Sequence, residues 1–404
     1  MIAIGPVREI FPRLKEKIKA GIIPFAVVAI STVLAVLGAD TGLRIFGEKL
    51  FYYRPHEMFI NRWPKLPLIS RYKKDVRYEG ETYGDLAAML GDASFRIKRR
   101  VVFETDSFGF SNSREVRDED VYDVIVLGDS FGVGLETTQS RTWVAQLRER
   151  YDARPYNLSI PGSPWQSYVN FALEADRLRV DAGALVLVTL FSGNDLDDDY
   201  YEGGKTDLAE LPWNDGWGAL GVRAGSFVRR SPIVMLAEKL RLGNRSAPQV
   251  LARQLPDGRS VLFYEPYVIS RDRTRSMAFG HANYPALVNT IRGIQKAAAA
   301  HGLQTVVVLF PAKEEVYDWV VDGRRPWDQA KRQGGLGEAL AESCRENGLR
   351  FVDLAPFLTE AAEKEWNDSG DLIYWPDDTH WNEKGHAVVA DIIHEVVFPK
   401  SAGP

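Results

Sequence analysis

Between residues 121 and 397, short and nearly continuous apolar runs alternate with segments of helical spacing. "YDVIVLG", "GALVLVTLFS" and "QTVVVLF" carry almost no polar residue. Such runs suit strands buried on both faces. Between and after them come "RTWVAQLRERY", "WQSYVNFALEADRL", "PALVNTIRGIQKAAAAHG" and "GLGEALAESCRENG", with apolar residues three or four apart. "RPYNLSI" and "RFVDLA" complete five strand candidates, and a last helix begins near Asn382. Strands separated by helices predict an α/β fold, a mainly parallel sheet covered by helices on both sides. The stretch 197–284 interrupts the rhythm and is too long for an ordinary connection. It is expected to be an insertion that caps or shapes a site, with a helix over "PIVMLAEKLRL" and a strand over "SVLFYEPYV".

The first run ends in "DVIVLGDSFGVGLE". A phosphate-binding loop needs a lysine followed by Ser or Thr after its glycines, and none is present. The dinucleotide fingerprint needs a third glycine, and Thr137 stands in its place. No cofactor is expected. A serine at a carboxyl-terminal strand end sits where open parallel sheets build their sites. To act as a nucleophile, Ser130 needs a base, a group orienting that base, and donors for an oxyanion. Other strand ends offer these parts. Gly162, in "NLSIPGSPW", lets a backbone N–H approach closely. Asn194, in "LFSGNDLDDD", carries a neutral amide donor. "YWPDDTHWNEKGH" holds His380 as a base, with Asp377 or Asp378 to hold its ring.

"GDS", the Gly162 loop, "GND" and the Asp-His segment, in that order, resemble the four blocks of the SGNH (GDSL-like) hydrolase superfamily. The resemblance spans roughly residues 100–397. It implies a flavodoxin-like three-layer fold and acyl-ester chemistry. It makes Ser130 the nucleophile and His380 the base. The oxyanion donors would be the Ser130 and Gly162 backbone N–H groups and the Asn194 side chain. The common family pattern, Asp-x-x-His, selects Asp377. The branch that acetylates exopolysaccharides, including alginate O-acetyltransferase-like proteins, carries Asp-x-His-Trp, and "DTHW" selects Asp378, the favoured choice. "FPAKEEVY", a Pro-x-Lys segment after a strand, is a further echo of that branch. In that branch the Asp-His segment commonly precedes the serine, whereas here it follows.

The N-terminus constrains location. Residues 20–39, "AGIIPFAVVAISTVLAVLGA", carry no charge. About 20 apolar residues in a helix cross a bilayer core. Arg8, Arg13, Lys15, Lys17 and Lys19 precede the stretch against Glu9 and Glu16. Positive flanks stay inside. The expected order is a cytoplasmic segment 1–19, an uncleaved anchor 20–39, a juxtamembrane stalk 40–99, and a periplasmic or extracellular SGNH-like domain 100–397. A cleaved signal peptide is the rival reading. The stalk's aromatic and basic "FYYRPHEMFINRWPKLPLISRYKK" suits either packing on the main domain or contact with lipid headgroups.

Net charge −5 and a pI near 5.8 argue against a nucleic-acid partner. The single cysteine, Cys344, forms no intrachain disulfide and is expected to be buried in a helix. Asp195, Asp197, Asp198 and Asp199 lack the glycine and distal glutamate of a calcium loop and read as a solvated acidic loop. His386 and His394 fall on the last helix. His56, His281 and His301 have no convergent partners in sequence, and no clustered zinc set is visible. The functional expectation is a membrane-anchored serine enzyme acting on O-acyl esters, in particular O-acetyl groups of envelope or exported polysaccharide, as esterase or O-acetyltransferase. Its partners would be an acylated carbohydrate or other ester, the bilayer through its N-terminal helix, and a membrane protein supplying the acyl donor. The alternatives are a lipid esterase or lysophospholipase, or a non-catalytic glycan-binding envelope protein.

Overall fold

Among the described residues, eleven strands follow one another: β1 (Ile60–Trp63), β2 (Leu66–Tyr72), β3 (Arg77–Thr82), β4 (Arg99–Glu104), β5 (Tyr122–Leu127), β6 (Pro155–Asn157), β7 (Val180–Phe191), β8 (Val250–Gln254), β9 (Ser260–Tyr264), β10 (Gln304–Phe310) and β11 (Arg350–Asp353). The structure is a computed structural model that describes residues 10–46, 54–113, 120–214, 216–229, 231–235, 249–327 and 334–398. Two compact units divide the chain, one of residues 1–52 and 225–245, the other of 53–224 and 246–404.

In the larger unit, β11-β10-β7-β5-β6 form a five-stranded sheet, and every pairing in it is parallel. Taken in chain order this is 2-1-3-4-5, the flavodoxin-like order. The sheet is the parallel α/β arrangement that the alternation of apolar runs and helices predicts. Period-2 alternation of nearly all-apolar strands creates two cores. Ile125, Leu127, Val186, Val188, Val307 and Leu309 point to one face, beneath the helices Pro164–Glu174, Tyr284–Ala300 and Gly335–Glu346. Val124, Val126, Leu187, Val306, Val308 and Phe310 point to the other, beneath Trp143–Tyr151, Ala355–Ser369 and Glu383–Val397. Cys344 is buried in the first of these cores.

Residues 54–104, expected for the most part as stalk, lie in the same unit as the sheet. They form two antiparallel hairpins, β1–β2 and β3–β4, with the short helix Asp85–Leu90 between β3 and β4. Their apolar residues enter the main core: Leu66, Ile69, Tyr72 and Phe103 are all buried. In the insertion, β8 and β9 form another antiparallel hairpin. The strand expected over "SVLFYEPYV" stops at Tyr264, and Glu265–Arg271 is helical, with a proline in its first turn. Proline is pre-set for the start of a helix. Of "PIVMLAEKLRL", residues 232–235 are helical and the rest lie outside the described residues.

In the smaller unit, Ile10–Phe46 is a 37-residue helix. Its stretch Pro24–Leu43 is long and apolar enough to cross a membrane, and 6% of its most apolar window is buried. By length and composition alone, a signal sequence passes the same test.

Candidate active site

β5 ends at Leu127, and Gly128 and Asp129 lead into a single helical turn, Ser130–Val133. The Asp129 carboxylate caps that turn, accepting from the Phe131 N–H at 2.9 Å. This leaves the Ser130 N–H at the first helical position, where no intrahelical acceptor exists. The turn needs small residues. A Cβ on Gly128 would lie 2.0 Å from Thr189 Oγ1, and one on Gly132 2.2 Å from Ser159 Oγ.

His380 comes from the loop before the last helix, 250 residues away, and its Nε2 is 2.9 Å from Ser130 Oγ. Its Nδ1 is 2.6 Å from Asp378 Oδ1. A proton on Nδ1 satisfies that carboxylate and leaves the Nε2 lone pair facing the serine hydroxyl. Phe131 lies beneath the imidazole with centroids 4.8 Å apart, and it stacks on Phe191 at 4.3 Å. The base therefore stands on an aromatic floor built by the residue after the serine and by the end of β7.

The two adjacent aspartates face different partners. Asp378 Oδ1 also accepts from the His380 N–H at 2.8 Å, and Oδ2 accepts from the Asp85 N–H at 2.7 Å. Arg99 and Arg54 stand 3.6 and 4.0 Å from Oδ2. Asp377 turns the other way. Its Oδ2 accepts from the Gly84 and Ile97 N–H groups, both at 2.8 Å, and its Oδ1 from Arg99 at 2.8 Å. Asp378 contacts the imidazole, while Asp377 docks the Asp-His loop onto the β3–β4 segment.

Electrostatics follow from this packing. Burial raises the Asp378 carboxyl's affinity for protons, but His380, Arg54 and Arg99 together hold it well below the usual carboxylate range. Burial lowers the His380 imidazole. The Asp378 charge and hydrogen bond, with the Asp85 charge, outweigh that and raise it above its ordinary value. Asp85 is buried beside Asp378, and both effects push it up to about 6.

Of the residues packed around the relay, Asp85 and Arg99 carry no local signal in the sequence, whereas Lys313 lies in the Pro-x-Lys segment. Asp85 accepts from Thr379 at both its N–H (3.0 Å) and its hydroxyl (2.8 Å), 294 residues along the chain. Arg99 lies over the Trp375 ring at 4.2 Å. Lys313, from the Pro-x-Lys segment, is fully buried. Its ammonium donates to the carbonyls of Trp375 (3.2 Å) and Asp378 (2.5 Å), so it staples the Asp-His loop to the end of β10. Burial lowers its proton affinity, opposed by Glu314 and the nearby aspartates.

Gly162 follows β6 with φ 151°, in the region that glycine favours. Asn194 follows β7, and its Nδ2 donates to Asp198 Oδ1 at 3.3 Å, which leaves the second N–H of that amide available. Asp198 is pushed up to about 7 by burial and by Asp129, Asp197 and Asp199. The expected solvated acidic loop is partly interior. Asp195 is buried, accepting from the Phe191 N–H at 2.7 Å, and Asp197 pairs with Arg273 at 2.6 Å. The reason is structural: these residues close the end of a central strand, where backbone donors need acceptors.

Of the aromatic residues in the insertion, Phe263 is core and Tyr267 packs edge-on against Phe191 at 5.2 Å, whereas Trp213 and Trp217 are exposed. His386 accepts from the Trp143 N–H at 3.3 Å and is buried. His394 stacks on Tyr151 at 3.9 Å. Asp85, Asp378 and His380 bring ligand-type atoms within 4.8 Å of one another, yet these side chains are engaged in the contacts above.

Residues 268–403 match the family described as SGNH hydrolase-like domain, acetyltransferase AlgX. That region contains Asp377, Asp378, His380 and Lys313, while Ser130, Gly162 and Asn194 lie upstream of it. No curated protein matches the chain as a relative. Solved structures that it resembles include a lipolytic protein of the G-D-S-L family from Desulfitobacterium hafniense DCB-2, at 11% identity, covering 68% of this chain and 98% of that one, with TM-score 0.31. Another is a carbohydrate esterase described as displaying divergent catalytic and non-catalytic binding functions, at 10% identity, 82% and 86% coverage and TM-score 0.33. Residues 268–403 are thus similar to an SGNH hydrolase-like domain, and acyl esterase or acetyltransferase chemistry is the activity class that this match supports.

Proposed function

We propose that this SGNH hydrolase-like chain is a serine enzyme of the extracytoplasmic face, anchored by its N-terminal helix, that moves O-acetyl groups on carbohydrate. The observation that carries the reading is the unbroken relay from Ser130 Oγ through His380 to Asp378, each link within hydrogen-bond distance. In the first half-reaction Ser130 Oγ attacks the ester carbonyl carbon and its proton passes to His380 Nε2. Asp378 stabilises the imidazolium. The tetrahedral oxyanion is received by the N–H groups of Ser130 and Gly162 and the free N–H of Asn194. Collapse breaks the ester C–O bond, and the departing alcohol takes the proton from Nε2. In the second half-reaction water or a sugar hydroxyl attacks the acyl-enzyme, gives its proton to Nε2, and Ser130 Oγ leaves and recovers it. General-base help of this kind is worth roughly 10²–10⁴ in rate.

Esterase and transferase share this machinery and differ in which hydroxyl enters second. The experiment follows 4-nitrophenol release from its acetate ester by the full chain, with and without an acetylatable oligosaccharide, beside Ser130→Ala and a fluorophosphonate probe. Serine-dependent release accelerated by sugar, with acetyl found on the sugar by mass spectrometry, supports the transferase. Serine-dependent release indifferent to sugar supports the esterase. No release and no probe labelling refutes catalysis and leaves a glycan-binding protein on a hydrolase fold.

A further inference from the structure

The helix Gly216–Arg229 carries an apolar stripe that nothing in the described protein covers. Trp217 is 84% exposed and Leu220 55% exposed. Gly221 and Ala224 are exposed as well. These positions are i, i+3, i+4 and i+7, one side of a helix about 20 Å long. A tryptophan this exposed, at the head of such a stripe, points to a partner that offers an apolar layer.

Two further observations identify that partner. First, residues 225–245 belong to the same compact unit as the long N-terminal helix. Within that unit Ser231, two residues past the striped helix, donates its hydroxyl to Asp40. Asp40 lies three residues before the end of the apolar stretch Pro24–Leu43. Where that stretch crosses a bilayer, Asp40 marks the level at which hydrocarbon gives way to headgroups. Second, residues 216–245 contain six basic side chains and one acidic, in a chain of net charge −5. Two of the six, Arg223 and Arg229, belong to the helix that carries Trp217 and Leu220, and basic residues joined to tryptophan and leucine are the signature of an element lying in the plane of an anionic bilayer surface.

We propose that the helix Gly216–Arg229 is a second membrane contact, lying in the interface with Trp217 and Leu220 inserted among the acyl chains and the basic residues that follow held by anionic headgroups. The inference rests on the reading of the N-terminal helix as an anchor. It goes beyond that reading by giving the insertion a lipid-facing role and tying the catalytic unit to the bilayer at a second point.

The test uses the full chain in vesicles of phosphatidylcholine with or without phosphatidylglycerol. Cys344 is buried, with its thiol pushed up to about 12 by that burial, so a single introduced cysteine is labelled selectively. An environment-sensitive fluorophore is placed at Ala224→Cys, on the stripe, and at Asp176→Cys, whose side chain is 94% exposed. Brominated lipid should quench the label at 224 and spare that at 176, more strongly with phosphatidylglycerol and less in high salt. Adding Trp217→Glu and Leu220→Glu should cut that quenching about tenfold, as two anchoring side chains are withdrawn, while fluorophosphonate labelling stays unchanged.

A label at 224 as open to aqueous iodide as that at 176 overturns the proposal. A label shielded from both quenchers overturns it in favour of a protein partner. Quenching indifferent to lipid charge overturns the anionic assignment. Failure of the chain to float with vesicles of phosphatidylcholine alone overturns the anchor reading. If the label at 224 still meets lipid on added anionic vesicles, the interfacial helix survives that failure; otherwise both fall.

Discussion

Exchange of either neighbouring aspartate for asparagine should separate catalysis from architecture. In Asp378→Asn the shape is kept, but the site is lined with donors. Oδ1 accepts from His380 at both its ring and backbone nitrogens, and Oδ2 accepts from the Asp85 N–H. One side of the new amide must turn an NH₂ toward a donor. If it faces the imidazole, the ring is held in the wrong tautomer, a change that costs about 10⁴ in kcat in a comparable triad. If it faces Asp85, a charge-assisted bond worth about 1.5–3 kcal/mol is lost. Asp377→Asn meets Gly84 and Ile97 with its remaining oxygen and presents the NH₂ to Arg99. It should therefore lower unfolding stability by about 1.5–3 kcal/mol and leave most turnover intact below the transition. The assays are kcat/KM on 4-nitrophenyl acetate and urea unfolding of each variant. If Asp377→Asn abolishes turnover at unchanged stability while Asp378→Asn works normally, the assignment read from the contacts is refuted.

Other outcomes follow from single contacts. Asn194→Ala should fold normally and lose about 10²–10³ in kcat, the usual cost of one oxyanion donor; normal turnover would remove Asn194 from the mechanism. Lys313→Met leaves the Asp378 carbonyl without its donor, while the Trp375 carbonyl keeps the Asp378 N–H at 3.3 Å, so stability should fall by about 1–3 kcal/mol, seen as a lower urea midpoint. Gly84→Ala places a Cβ 1.8 Å from the Asp377 carbonyl oxygen. The turn must retreat from the Asp-His loop, and both the urea midpoint and turnover should drop.

The sheet was legible because its strands announce themselves. A strand such as β7, apolar at almost every position, is buried on both faces, and helices of 3.6 spacing separate it from its neighbours. The places of Ser130, Gly162 and Asn194 after strands were legible, because each follows an apolar run. The contact of Ser130 with His380, 250 residues away, was expected from the resemblance alone. The choice between Asp377 and Asp378 could not be made from "PDDTH" alone, because either side chain can reach back to a histidine. The packing of Gly84, Ile97 and Arg99 around Asp377 separates their contacts. The hairpins of residues 54–104 were the least legible part. "SFRIKRRVVFETDSFGF" alternates enough to read as a strand or hairpin, and β4 lies within it, but the prolines and basic residues around β1 and β2 read as a stalk. The segment's buried arginines meet carboxylates far along the chain, Arg54 at Glu136 and Arg71 at Glu174.

That segment also sets the charge around the base, which leads to a last prediction. Arg54 bonds Glu136 at 2.6 Å, and Arg99 bonds Asp377 at 2.8 Å. Both also stand beside Asp378. Two arginines thus face three buried carboxylates, and a fourth, Asp85, becomes charged above about pH 6. The charges act on His380 in opposite senses. Asp85 raises its affinity for a proton and Arg54 lowers it. As a base, His380 must be neutral, so the acid limb of kcat/KM should lie above the ordinary histidine range. Asp85→Asn should move that limb to lower pH, and Arg54→Gln should move it higher. The stability linkage has a definite sign. With its pKa raised on folding, His380 contributes stability that is fully present below its unfolded pKa near 6.5 and lost as pH rises through the higher folded value. Asp378, held low, contributes stability above its unfolded pKa that is lost only as pH falls through the folded one. A pH-rate profile of the two variants settles the matter. Limbs that shift in the same direction, or not at all, would mean that the arginine and aspartate of this segment hold the loop in place without tuning the base.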